Sequence, residues 1–169
     1  MKLTRRHFLA ASALVAGSGV VAAGATAYRW WDQPPSAPFR ALSADEAAFF
    51  DALAEAIFPA GGDPPLGGRD ANVARYVDDV VAGLAPTQAK LLRLAVHAFD
   101  NLPRASAGAR FSVLPVGEAQ AVMRGWIDSP VFEIRGIFQS FYIFTAMAYL
   151  AHPKVAPTLA PMFTCGFGP

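Results

Sequence analysis

An all-α fold, a compact bundle of about five helices with an extended N-terminal arm and an irregular C-terminal tail, is what this sequence predicts. Three observations carry that expectation. Apolar residues recur at helical spacing in five separate segments. Those segments open on helix-start residues and close at Pro, Gly or Asn. No stretch shows the two-residue alternation of a half-buried strand, and no internal repeat is present.

The first element is a leader. A short basic region, Met1-Lys2-Leu3-Thr4-Arg5-Arg6, runs into Phe8-Leu9 and an apolar stretch to about Ala25, diluted by Gly17, Gly19 and Gly24. Ala25-Thr26-Ala27 supplies the small-x-small pattern that a signal peptidase reads, so cleavage is expected after Ala27. The run Thr-Arg-Arg-x-Phe-Leu resembles a twin-arginine (Tat) export signal, with Arg5, Arg6, Phe8, Leu9, Ala25 and Ala27 as its working residues. The alternative is a retained anchor, since the stretch is just long enough to span a bilayer. Its wealth of Ala, Gly and Ser favours cleavage. The resemblance implies export to the periplasm in a folded state by the Tat translocase.

Residues 28–42 are expected to form an extended arm, because Pro34, Pro35 and Pro38 exclude a helix. Residues 43–169 then form one helical domain. Ser43-Ala44-Asp45-Glu46 is a capping box that opens the first helix, with Phe49, Phe50, Leu53 and Ile57 on its apolar face and Pro59 at its end. The segment Pro59–Arg69 is turn chemistry throughout. Asp70 is expected to cap a second helix to about Gly83, burying Val73, Tyr76, Val77, Val80 and Val81. Pro86 sits at the first position of a third helix to about Asn101, with Leu91, Leu94, Ala95 and Ala98 facing inward. A loop anchored by Phe111 leads to Pro115 and a fourth helix through Val122, Met123, Trp126 and Ile127. Ser129-Pro130 should cap and open the fifth, which runs to about Leu150. Between Ile137 and Leu150, tyrosines aside, it contains only Gln139, Ser140 and Thr145 as polar residues, so it reads as the central helix, buried on most sides. Gly136 and Ser140, one turn apart, would let a neighbouring helix come close.

Composition bounds the function. Removing the leader takes away three of the 14 basic residues and none of the 13 acidic ones, leaving 11 against 13 and a net charge of −2. That balance recommends no nucleic-acid partner. The chain is 54% hydrophobic and only 16% charged, against a usual charged content of about 25%. A dense core explains this, and so does apolar surface covered by a permanent partner, because obligate interfaces resemble a core cut in half. The single cysteine, Cys165, cannot form a disulfide within the chain or hold an iron–sulfur cluster.

No constellation for catalysis, cofactor binding or metal binding stands out. His97 shares a helix face with Lys90, Arg93 and Asn101 and is expected to be solvated; His152 ends a helix. Neither belongs to an H-x-x-x-H pair. Asp78 and Asp79 are adjacent on a helix, point apart, and read as a solvated face. Asp51 and Glu55, one turn apart, repel unless a cation sits between them. The glycines of Gly61-Gly62 and Gly67-Gly68 lack the Lys-Ser/Thr of a phosphate loop and read as a structural or partner-contacting turn.

Four segments carry a resemblance: Phe39-Arg40-Ala41-Leu42-Ser43, Glu55-Ala56-Ile57-Phe58-Pro59-Ala60, Pro64-Pro65-Leu66-Gly67-Gly68, and Asn72-Val73-Ala74-Arg75-Tyr76-Val77-Asp78. Together with the leader they resemble the gluconate 2-dehydrogenase subunit 3 family, the small subunits of periplasmic FAD-dependent sugar and alcohol dehydrogenases. The ending Thr164-Cys165-Gly166-Phe167-Gly168-Pro169 departs from the family's glycine-tyrosine ending. The resemblance implies a non-catalytic subunit with no cofactor of its own. It would bind, mature and escort through the Tat pathway a large flavoprotein of the glucose–methanol–choline class that holds FAD, at the outer face of the inner membrane, with a cytochrome c subunit taking the electrons. Trp30, Trp31, Phe39, Phe163, Cys165 and Phe167 are the expected partner interface, since large aromatics in segments without periodicity need a surface to cover them. A stand-alone periplasmic enzyme or ligand-binding bundle, or a membrane-anchored structural subunit, is the competing expectation.

Overall fold

The structure, a computed structural model, describes residues 29–30 and 33–159. The chain divides into residues 1–33 and residues 34–169. In the first unit, Arg29 and Trp30 have helical backbone, where an extended arm was expected. The second unit holds all the regular structure that follows. Among the described residues it is helical without strands, which agrees with the predicted bundle.

Five helices of ten residues or more make the bundle: α1 (Ala44–Ile57), α2 (Val73–Ala82), α3 (Pro86–Asn101), α4 (Val116–Ile127) and α5 (Phe132–Leu150). Helix α1 forms where the capping box predicts it. The Ser43 hydroxyl accepts from the Glu46 amide at 3.4 Å, and the Glu46 carboxylate accepts from the Ser43 amide at 2.7 Å. Helix α3 begins at Pro86, as the first-position proline predicts.

Two helix starts differ from expectation. Asp70 does not cap α2: Arg69–Ala71 form a tight 3₁₀ turn, and the helix starts only after Asn72, which adopts the left-handed conformation at φ 52°. Ser129-Pro130 lies two residues too early for α5, whose N-cap is Val131. The Ser129 hydroxyl instead accepts from the Val131 amide at 3.2 Å, closing a turn that precedes the helix.

The centre of the bundle is α1, not α5. Helix α1 packs against α2, α3, α4 and α5, and Phe49, Phe50, Leu53 and Ala54 on it are wholly buried. Around it the aromatic rings interlock, mostly edge to face, with Phe111 and Trp126 tilted at 34°. Phe141 lies 5.4 Å from Phe49, 5.9 Å from Phe50 and 5.3 Å from Phe99, and Trp126 lies 5.0 Å from both Phe99 and Phe111. The Phe111 anchor is fully buried, as its place in the loop suggests.

Helix α3 is rotated from its expected setting. Val96, His97, Phe99 and Asp100 are buried, whereas Leu91 is 53% exposed and Ala98 faces solvent. The face turned inward carries Val96 and Phe99 into the core and brings Arg93 and His97 to a buried carboxylate on α1.

Candidate interaction surface

Three internal clamps hold the bundle, and the first two use groups that the sequence assigns to solvent or to a cap alone. The first is Glu46, which is wholly buried beneath α3. Besides capping α1, its carboxylate accepts from Arg93 Nε at 2.9 and 3.0 Å, and His97 Nε2 lies 3.0 Å from Oε1. Burial pushes this carboxyl up, but the His97 imidazole, the Ser43 amide and Arg93 outweigh it and hold it below its ordinary value. His97 is therefore a buried partner of Glu46, not the solvated residue expected.

The second is Asp78, which is buried, not on a solvated face. Its Oδ1 accepts from the amides of Arg40, Ala41 and Leu42 at 3.1, 2.8 and 2.9 Å, and Oδ2 from Arg40 at 3.0 Å. Neighbouring groups extend the grip: Arg75 donates to the Pro38 carbonyl at 2.9 Å, and Asp79 pairs with the Arg40 guanidinium. Helix α2 thus straps down the chain between Pro38 and Leu42. Burial raises the Asp78 carboxyl, but the three amides and Arg75 bring it below its ordinary value.

The third clamp fixes the glycine- and proline-rich loop between α1 and α2. Glu55 accepts from the Arg69 amide at 3.1 Å, and the Gly68 amide donates to the Phe58 carbonyl at 2.7 Å. From α5, the Tyr149 hydroxyl donates to the Leu66 carbonyl at 2.7 Å, while its ring stacks on Phe58 at 3.8 Å. Burial pushes the Asp51 carboxyl up, and the charge of Arg69 acts against that shift. The base of the loop is structural, and its tip at Gly61 and Gly62 is exposed.

Outside these clamps, the largest feature is apolar. Helix α5 buries Phe138, Phe141, Thr145, Ala148 and Tyr149 on one side. On the opposite side Phe132 is 73% exposed, Met147 50%, Ile143 45% and Leu150 42%. The expectation of a helix buried on most sides is therefore corrected: one half of α5 faces outward, with these apolar side chains standing beside the exposed Glu133, Gln139 and Ser140. Ile127 and Val131 extend the patch at the junction of α4 and α5. Between α4 and α5 lies an open hollow of about 450 Å³, lined by Ile127, Phe132, Arg135, Gly136, Phe138, Gln139 and Tyr142. Arg135 stands 5.9 Å over the Phe132 ring and donates to the Ser129 carbonyl.

The residues singled out from sequence fall elsewhere. Arg5, Arg6, Phe8, Leu9, Ala25, Ala27, Trp31, Phe163, Cys165 and Phe167 lie outside the described residues. Trp30 occupies the helical turn noted above. Phe39 is half-buried and packs against the bundle's own core. The outward face of α5 was missed because both of its sides are apolar. The spacing Phe132, Gly136, Gln139, Ile143, Met147, Leu150 marks a second helical stripe, and that signal was present in the sequence. No helix among the described residues is long and apolar enough to cross a membrane.

A family model described as Gluconate 2-dehydrogenase subunit 3 matches residues 44–160. No curated protein and no solved structure matches the chain. The matched segment runs from the first residue of α1 to just past the last described residue and so takes in every helix of the bundle. The chain therefore belongs to the gluconate 2-dehydrogenase subunit 3 family, whose description is that of one subunit of a multisubunit dehydrogenase complex.

Proposed function

We propose that this chain is the non-catalytic small subunit of a periplasmic dehydrogenase, which binds a large FAD-dependent flavoprotein of the glucose–methanol–choline class, assists its maturation and carries it through the Tat pathway. The observation that carries the reading is the family match over all five helices. Two features support it. Several large apolar side chains stand exposed on α5, among them Phe132, Ile143, Met147 and Leu150, and exposed apolar surface of this kind marks protein interfaces. The leader reads as a twin-arginine signal, a route that suits a folded, cofactor-loaded partner. In this reading FAD belongs to the large subunit, a cytochrome c subunit accepts the electrons, and the substrate is a sugar or alcohol.

Co-expression tests it. The full chain and the flavoprotein large subunit, purified through a tag on the small chain, should co-elute with flavin absorbance. The large subunit made without this chain should be depleted of flavin or retained in the cytoplasm. A large subunit that loads flavin and reaches the periplasm equally well alone would overturn the escort role.

A further inference from the structure

We propose that the first half of α3, from Pro86 to Ala95, is a latched flap. It opens and recloses while the rest of the bundle stays folded, and the buried Glu46 carboxylate holds it shut. This is a property of the chain itself and does not depend on the small-subunit reading.

Burial divides α3 in two. Its buried residues, Val96, His97, Phe99 and Asp100, all lie from Val96 onward. None of the residues from Pro86 to Ala95 is buried, and Pro86, Thr87, Gln88 and Leu91 are exposed. Ala89, Leu92 and Ala95 are partly buried where they pack against the core. The second half is bolted down. Phe99 meets Trp126 at 5.0 Å and Phe141 at 5.3 Å, and the Asp100 carboxylate accepts from the Ser112 amide at 2.8 Å. Segments with few buried apolar contacts open at lower free energy than the core they adjoin. The outer end of the flap is weak in another way. Its N-cap is Ala85, whose methyl group offers no acceptor to the amides of the first turn.

What holds this half shut is chiefly charge. Arg93, near its inner end, donates from Nε to both Glu46 oxygens at 2.9 and 3.0 Å. The Arg93 side chain is 11% exposed and that of Glu46 wholly buried. A charge-assisted bond of this kind is strong, and a buried carboxylate that loses its partner is costly. The flap therefore cannot unwind through Arg93 unless water reaches Glu46. His97, 3.0 Å from Oε1, belongs to the bolted half and stays beside the carboxylate when the flap opens. Opening thus converts an interior carboxylate into a solvated one at the start of α1.

The test is hydrogen exchange read by mass spectrometry on the full chain, with and without low urea. Amides of residues 90–95 should exchange faster than those of α1 and of residues 97–101. Their exchange should depend little on urea, because a local opening exposes little surface. Glu46→Gln removes the charge but keeps an acceptor for the Ser43 amide, since Gln also serves in a capping box. It should speed exchange at 90–95 by about tenfold or more, from the loss of a hydrogen bond between charged groups. Arg93→Gln leaves the cap of α1 untouched and should do the same. Asp78→Asn, which loosens the strap on α2, should speed exchange in α1 and leave 90–95 unchanged. Exchange at 90–95 that rises with urea as steeply as that of α1 overturns the flap, and the unmodified chain suffices to show it. Acceleration by Glu46→Gln and Arg93→Gln that is equal across all helices overturns the latch.

Discussion

Asp78 and Glu46 show how single residues decide this fold. Each buried carboxylate is tolerated because it accepts several hydrogen bonds. Replacing Asp78 by Ala leaves three amides without an acceptor, and at about 1 kcal/mol or more for each, a loss of roughly 3 kcal/mol in unfolding free energy is expected. Both carboxyls titrate below their ordinary values in the fold. The unfolded chain therefore takes up protons first as the pH falls. Their stabilisation is complete above the unfolded-state values near pH 4 and is lost progressively as the pH drops through and below them. Asp51, pushed up by burial, opposes part of this trend. Urea unfolding between pH 7 and pH 3 should show a steep acid decline that Asp78→Asn flattens; an unchanged slope in that variant would remove Asp78 from the account.

At the scale of elements, packing space matters more than helix propensity. Gly68 has an ordinary right-handed backbone, φ −58°, so its glycine is not needed for conformational freedom. It is needed for room, because the loop crosses the backbone of α1 at Ala54. Gly68→Ala must displace one of the two segments and should cost about 3 kcal/mol, the upper end of overpacking penalties. Gly61 is the reverse case, with φ +82° and open space around it. Gly61→Ala there should cost only about 1 kcal/mol, from backbone strain alone. Thermal melts of the two variants separate the effects, and equal losses would refute the steric reading of Gly68. Helix α5 teaches a related lesson. An element with apolar residues on more than one side is compatible with a buried centre or with an outer layer, and its own sequence does not distinguish them.

For the whole molecule, the export reading gives a prediction that joins leader and partner. Replacing Arg5 and Arg6 with Lys keeps the charge but removes the planar, five-donor guanidinium groups. Fractionation of cells carrying the double variant should find both this chain and the large subunit in the cytoplasm. A large subunit still exported beside a stranded small chain would separate the two fates and rule out escort.

The sequence by itself determined the all-helical class, the first helix with its capping box, the proline start of α3 and the Phe111 anchor. These are local matters: a capping box spans four residues, and periodicity is written along one element. The family, too, was legible in short motifs, and the match over residues 44–160 bears it out. Only the tertiary structure decided that α1 is the centre, that His97 and Asp78 are buried, and that α5 keeps an open face. Each of those depends on pairs distant in sequence. His97 turns inward because Glu46 waits 51 positions earlier, and Asp78 is buried because the amides of residues 40–42 fold onto it. A charged residue read without its partner is assigned to water, since an unpaired charge belongs there; the fold supplies the partner and reverses the assignment.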